Sequence, residues 1–285
     1  MAVKIVTDST ADLPTDLARE LDITVVPLNI HFGQESFLDG VDLGSDEFFE
    51  RLIRGPQLPT TSQPSPGVFA DVYRGLVDAG DQVLSIHISE LLSGTLNSAT
   101  QAKGQLGDAP IEVLDSLQVS MGLGLVVTAA AQAAKGGASM AETIQTTREL
   151  LPQTQVFALL DTLEYLQRGG RIGKVRAIIG SLLRVRPMIT VYDGVPQSLA
   201  VVRSRSQGLQ RLVDIAEDRA PLKQAAVIYS TNAEEAEELA QRLTPFLSEG
   251  RVIKGQFGPV LGTYVGPGAV GIGIQSEKTG HSNRT

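Results

Sequence analysis

The chain has 285 residues, 42% of them hydrophobic, and a formal charge of −8 from 24 basic and 32 acidic side chains. That length and apolar share provide for one large or two ordinary cores, and the acidic balance argues against nucleic-acid binding. With no cysteine, disulfides, thiolate catalysis and cysteine metal sites are excluded, and the three histidines, His31, His87 and His281, form no metal-binding spacing. The chain enters a strand pattern directly, without a signal peptide. Its most apolar stretch, Met121–Ala134, is interrupted by Gly122, Gly124, Thr128 and Gln132 and is too short to cross a bilayer. The expectation is a cytoplasmic protein that uses no metal and no cofactor.

Taken in order, Val3–Thr7 reads as a buried strand that ends at Asp8-Ser9-Thr10. Polar residues there suit a site at the carboxyl edge of a sheet, or a simple Asx turn. Pro14–Leu21 reads as a short helix, Ile23–Phe32 as a second strand, and Glu35–Leu38 as a small hairpin arm beyond a turn at Gly33-Gln34. A helix starts at Ser45-Asp46-Glu47 and stops at Gly55-Pro56. Leu58–Pro66 then carries three prolines and four hydroxyls, a stiff loop able to hold hydrogen-bond donors in place. Ser65 is set to cap the helix Gly67–Asp78, with Pro66 at its first position.

Val83–Ile88 is a buried strand that leads to Ser93-Gly94-Thr95, where helical spacing begins. Free N–H groups and the positive end of a helix dipole can hold a phosphate or carboxylate at such a place. Plain N-capping by Ser93 accounts for the same residues. Ile111–Leu114 reads as a strand, and Gln118–Ala134 as a helix rich in glycine and alanine. Ser139–Glu142 is a capping box that opens a helix to Leu151. This alternation of strands and helices predicts a mostly parallel α/β sheet.

A second α/β domain is expected from about Pro152, which divides the chain into 1–153, 154–275 and a disordered tail 276–285. Gln155–Leu160 reads as a strand, Asp161–Glu164 as another capping box, and Lys174–Leu183 as a helix with Val175, Ile178, Ile179 and Leu182 on its apolar face. Pro187–Tyr192 and Val195–Val202 flank Asp193-Gly194, a strong hairpin signal that predicts a mixed sheet. Ser206–Arg219 and Ala233–Leu247 read as helices around a strand at Ala225–Tyr229. Val252–Phe257, Pro259–Val265 and Ala269–Ile274 read as three closing strands. Residues 161–211 hold nine basic against three acidic side chains, and eight of the nine are arginine, suited to an anionic ligand or an acidic partner.

Five segments together resemble the DegV family of bacterial fatty-acid-binding proteins: TDSTADLP (Thr7–Pro14), TSQPS (Thr61–Ser65), SGT-x-NSA (Ser93–Ala99), RGGRI (Arg168–Ile172) and GPGAVG (Gly266–Gly271). The resemblance spans nearly the whole chain and implies two α/β domains with a long-chain fatty acid between them. It further implies a non-catalytic subunit that presents the fatty acid carboxylate to a separate ATP-dependent kinase, whose acyl-phosphate product enters phospholipid synthesis. By position, Thr61, Ser93 and Tyr264 would hold the carboxylate, with Ser62, Gly94 and Thr95 in support. Arg171 and Arg203 would face the head group or the kinase, and the lipid role leaves room for transient contact with a membrane surface. Gly262–Gly268 departs from the family pattern: GTYVGPG stands where GTHVGPG is common, so a neutral O–H donor replaces a group that can carry charge.

Two other readings compete. The pocket could serve lipid storage, transport or sensing without a kinase. Alternatively, Ser93 could be an esterase nucleophile, although Leu91-Leu92-Ser93-Gly94-Thr95 lacks the G-x-S-x-G elbow and neither His87 nor His31 shows any sign of approaching it.

Overall fold

The computed structural model describes residues 1–178 and 185–277. Its first half runs β1 (Val3–Asp8), α1 (Thr15–Glu20), β2 (Ile23–Val26), β3 (Asn29–Phe32), β4 (Glu35–Leu38), α2 (Ser45–Arg54), β5 (Thr60–Ser62), α3 (Pro66–Asp78), β6 (Gln82–His87), α4 (Thr95–Gln105), β7 (Ile111–Asp115), α5 (Met121–Lys135) and α6 (Met140–Leu150). The β-branched runs of β1 and β6 make the centre of a four-stranded parallel sheet, ordered β2-β1-β6-β7. Because parallel strands need crossovers, helices return the chain each time, and the carboxyl ends of the strands share one edge.

The second half runs β8 (Thr154–Leu159), α7 (Glu164–Arg168), β9 (Arg186–Tyr192), β10 (Val195–Val202), α8 (Arg205–Arg219), β11 (Leu222–Tyr229), α9 (Ala233–Leu243), β12 (Ile253–Gln256), α10 (Pro259–Val265) and β13 (Val270–Ser276). Its six strands form one mixed sheet, ordered β10-β9-β8-β13-β11-β12. The hairpin between β9 and β10 turns at Asp193 and Gly194, whose φ values of 49° and 76° give the doubly left-handed turn that suits twisted strands. The expected α/β class, with a parallel and a mixed sheet, is what the chain adopts.

α5 lies between the two sheets. Eleven of its fifteen residues are buried, so it is apolar all round rather than on one stripe. Leu123, Val126, Val127 and Ala130 pack with Val3, Ile5, Leu84 and Ile86 of the parallel sheet. Met121 and Leu125 pack with Ala158, Ile189, Ala226 and Ile228 of the mixed sheet. Glycine makes the contact close: a Cβ on Gly273 of β13 would stand 3.1 Å from the Met121 backbone.

Several elements differ from expectation. Ile23–Phe32 is two strands, because Pro27 lacks the N–H a continuous ladder needs. β3 instead pairs with β4 and β5 in a separate three-stranded antiparallel sheet. The stiff loop at Leu58–Pro66 therefore contains a strand, and its ladder as well as its prolines holds Thr61 and Ser62. Pro259–Val265 is a helix and not a strand: Pro259 sits at its first position, and Gly262 lets it press on α2, where a Cβ would meet Phe48 at 2.5 Å. No capping box forms at Asp161–Glu164. Thr162 Oγ1 accepts the Glu164 N–H, while Asp161 pairs with Arg186 and Arg205. The helix expected through Leu247 ends at Leu243 and passes into a 3-10 turn, Thr244–Phe246. Gly173–Ile178 is also a 3-10 turn, and the rest of the helix expected at Lys174–Leu183 lies outside the described residues. Ser276, expected in the tail, ends β13, where its hydroxyl donates to the Arg219 carbonyl; residues 278–285 lie outside the described residues.

Candidate ligand-binding site

Both halves of the chain line one cavity at the carboxyl edge of the parallel sheet. The first half contributes Thr10, Leu28, β5, the loop from Ile88 to Ser93, Val119 and Ser120. The second contributes β8, β9, Leu166, Arg171, Phe257 and much of α10. The space free of protein atoms is about 900 Å³, solvent at its mouth included. Most of the wall is aliphatic, with side chains such as Leu28, Ile88, Val156, Ile189 and Val260.

Polar groups gather at one part of that wall. The Thr61 and Tyr264 hydroxyls are 2.6 Å apart and hydrogen-bonded. Arg171 lies over the Tyr264 ring, with Cζ 5.3 Å from its centroid. The same guanidinium donates to the carbonyls of Leu92, at 3.3 Å, and Gly169, at 2.9 Å. Among the described residues it has no carboxylate partner, so its charge is available to an anion. Gly169 makes room for the Tyr264 ring, since a Cβ there would stand 2.5 Å from two ring carbons. These three residues also line a second, outer recess with Arg168 and Leu58, and so form the partition between cavity and surface.

The structure brings Thr61, Ser62, Ser93, Arg171 and Tyr264 to one cavity. Gly94 is not in the wall but touches Gln63, which is; a Cβ on Gly94 would meet that amide at 2.7 Å, so the glycine lets the two loops close. Thr95 is fully buried behind Ser93, whose hydroxyl is 2.9 Å from Thr95 Oγ1 and accepts the Thr95 N–H at 3.3 Å. The N-cap position is Gly94, and Ser93 forms a turn just before it. Arg203 is not in this wall. It lies in a groove between β10 and α8. The basic stretch is partly neutralised within the chain: Arg168 pairs with Glu164, Arg186 with Asp161, and Arg205 with Asp161 and Glu235. Arg184 lies outside the described residues.

Two buried polar groups behind the wall escaped the sequence reading. In the first, Tyr73 donates to Ser85 at 2.8 Å, Ser85 is 2.6 Å from His87 Nε2, and His87 Nδ1 is 2.9 Å from Asp8. Asp8 also accepts the Ile88 N–H and both the N–H and the hydroxyl of Thr10, which faces the cavity. Burial pushes the Tyr73 phenol far up, so it stays a neutral donor. This serine, histidine and aspartate chain resembles a hydrolase triad, yet Ser85 is fully buried and outside the cavity wall. His31 bonds Ser62, and neither of these histidines hydrogen-bonds Ser93.

The second group is Asp12 and Asp39, beneath the start of α10. Asp12 accepts the Ser120 hydroxyl at 2.7 Å and the Gly258 N–H at 2.9 Å. Ser9 and the Val260 backbone bear on Asp39, whose Oδ2 is buried with no hydrogen-bond partner. Burial pushes Asp12 well above the usual carboxylate range and Asp39 up to about 7. Among the described residues, no cluster of three or more His, Asp or Glu side chains is arranged to hold a metal ion, and no helix is long and apolar enough to cross a membrane.

Comparison with known proteins agrees with the resemblance. The model of a family described as "uncharacterised protein, DegV family" matches residues 2–277. A DegV domain-containing protein of Caldanaerobacter subterraneus subsp. tengcongensis is 35% identical over 273 residues, which is 95% of this chain and 97% of that one. A solved DegV family structure from Thermus thermophilus, described for its fatty acid binding, superposes with a TM-score of 0.91 at 32% identity, covering 97% of this chain and 100% of that one. A stearic acid-binding protein from Eubacterium ventriosum superposes at 0.88 with 30% identity, covering 96% and 98%.

Proposed function

The chain belongs to the DegV family, and from that starting point we propose that it binds a long-chain fatty acid in the cavity between its two halves. The observation that carries this reading is one largely aliphatic cavity whose wall includes Ser93 and the linked Thr61, Tyr264 and Arg171. An acyl chain gains about 0.8 kcal/mol for each methylene it buries. Its carboxylate needs a few charge-assisted hydrogen bonds, which two or three hydroxyls and an unpaired arginine supply. The structural relatives described as fatty-acid-binding support the same ligand class.

In this reading the halves 1–153 and 154–275 act as two domains around the ligand. The protein is non-catalytic and works in the cytoplasm. Ser93 holds the carboxylate, since neither His87 nor His31 bonds it as a general base. A separate ATP-dependent kinase phosphorylates that carboxylate at the partition formed by Thr61, Arg171 and Tyr264, and the acyl-phosphate feeds phospholipid synthesis. Lipid extraction of protein purified from a bacterial host, followed by mass spectrometry, tests the first step. One long-chain fatty acid per chain is the expected result, and an empty cavity or a polar metabolite would overturn it. Incubation of the loaded protein with a cognate kinase and labelled ATP tests the second; absence of acyl-phosphate leaves lipid storage or transport as the function.

A further inference from the structure

α10 is a short helix that supplies Val260, Leu261, Tyr264 and Val265 to the cavity wall. It belongs to the second half of the chain but is held at both ends by the first. At its far end Tyr264 bonds Thr61. At its start the two buried carboxyls, Asp12 and Asp39, converge on Gly258: a Cβ built there would lie 3.2 Å from Asp12 Oδ1 and 3.1 Å from Asp39 Oδ1. Gly258 N–H donates to Asp12, the Val260 N–H bears on Asp39, and Pro259 between them has no N–H to offer. The Gly258 N–H is taken by Asp12, and Asp39 Oδ2 is left buried and bare.

A bare buried oxygen is tolerable on a neutral carboxyl and costly on an anion. The groups that bear on Asp39 and Asp12 make the anion worse. Asp8, from the end of β1, and the two aspartates act on one another with like charge, and the Asp8 carboxylate is shared with His87 and Thr10. Ser9 contributes only a hydroxyl, and α10 itself carries no titratable side chain before Tyr264 at its far end. Among the described residues no Lys or Arg pairs with Asp8, Asp12 or Asp39.

We propose that Asp39, with Asp12, is the positioning group for α10, and that the helix is seated while Asp39 is protonated and is unseated when that proton passes to water, which makes ligand retention depend on pH. The anion relieves itself by turning toward solvent, which takes the Val260 N–H contact with it and tilts the helix that carries Tyr264. Burial raises Asp39 to about 7, which puts the change near neutrality, and raises Asp12 as well. The proposal rests on the fatty-acid reading for its ligand, and on the placement of Asp39 and Asp12 against the start of α10 for its switch.

The test compares wild-type protein with Asp39→Asn, using displacement of cis-parinaric acid by oleate across a series of pH values. Ionisation of the fatty acid itself affects both proteins alike, so the ratio of their affinities isolates Asp39. The wild type should weaken relative to the variant by up to about tenfold per pH unit above the Asp39 midpoint. A constant ratio across the series overturns the proposal. Titration of the Asp39 carboxyl carbon by NMR in the wild type needs no variant, and a midpoint in the ordinary carboxylate range, about 4, also overturns it. If neither protein binds the fatty acid, the binding reading fails and amide hydrogen exchange in α10 decides the switch. Protection that drops between about pH 6 and about pH 8, after correction for the intrinsic rate, supports it, and unchanged protection refutes it.

Discussion

Gly169→Ala is the sharpest probe of the site, because it adds one methyl at a place where the space is already taken. Gly169 ends α7 with φ −74° and ψ −6°, a conformation alanine adopts without strain. The added Cβ, however, would sit 2.5 Å from Cδ1 and Cε1 of Tyr264 and 3.2 Å from the Tyr165 carbonyl. The ring has little room to yield, because its hydroxyl is bonded to Thr61 and its face is covered by Arg171. Overpacking of this kind costs about 1–3 kcal/mol. In a Tyr264→Ala background the obstructing ring is gone, and Gly169→Ala should cost nothing or gain about 0.4–1 kcal/mol from the stiffer unfolded chain. The coupling between the two positions is then about 1–3 kcal/mol, measurable by urea unfolding of the four proteins in the cycle. Fatty acid affinity should fall in Gly169→Ala alone for the same reason, since the partition hydrogen bond is broken. Equal destabilisation by Gly169→Ala in both backgrounds would show that the ring is not where the clash lies, and the partition would have to be redrawn.

Other substitutions test the remaining parts. Ser93→Ala should weaken fatty acid binding by about 1.5–3 kcal/mol, the loss of one hydrogen bond to a charged group, read by titration calorimetry; unchanged affinity removes Ser93 from the site. Asp39 bears on stability as well as binding. Its folded value of about 7 stands above the unfolded value of about 3.9, so the folded chain holds a proton that the unfolded chain has released. Stability should therefore fall by about 4 kcal/mol as pH rises from about 4 to about 7 and be level on either side, as far as this group is concerned. Denaturant midpoints for Asp39→Asn should lose that slope, and a slope identical to wild type would refute the assignment. His87→Ala leaves Asp8 buried without its imidazole and should destabilise the fold by about 3–5 kcal/mol, with thermal unfolding as the measure; a change under about 1 kcal/mol would mean the contact does not support the fold.

Local chemistry made much of this legible in the sequence. The Ser139 capping box, the Ser65 cap with Pro66 and the Asp193-Gly194 hairpin are short-range signals, and each forms as read. So are the loops at Thr61, Ser93 and Arg171, which converge on one cavity. Two misreadings came from weighing β-branched and aromatic residues above proline. Pro27 divides Ile23–Phe32 into strands of different sheets, and Pro259 starts a helix in a stretch whose Val260, Thr263, Tyr264 and Val265 favour a strand. What lay beyond the sequence is long-range. Asp8 and His87 are 79 positions apart and meet only because β1 and β6 are parallel neighbours, with Val6 opposite Ser85. Asp12 reaches Gly258 across 246 positions. The position of Arg203 outside the cavity wall has a similar origin: positive charge is a local property, but the groove it lies in is set by how β10 and α8 pack.

The placement of α5 limits how a ligand can enter. A helix buried through its first eleven residues acts as a shared axle, so the halves cannot swing apart like a clamshell without exposing Met121 and Leu125 on one side or Leu123 and Val126 on the other. Entry through the rim of the cavity leaves that packing intact. The same placement argues against dissection: a fragment cut after Gln153 would expose Met121 and Leu125, which pack with the mixed sheet, and should aggregate when expressed alone.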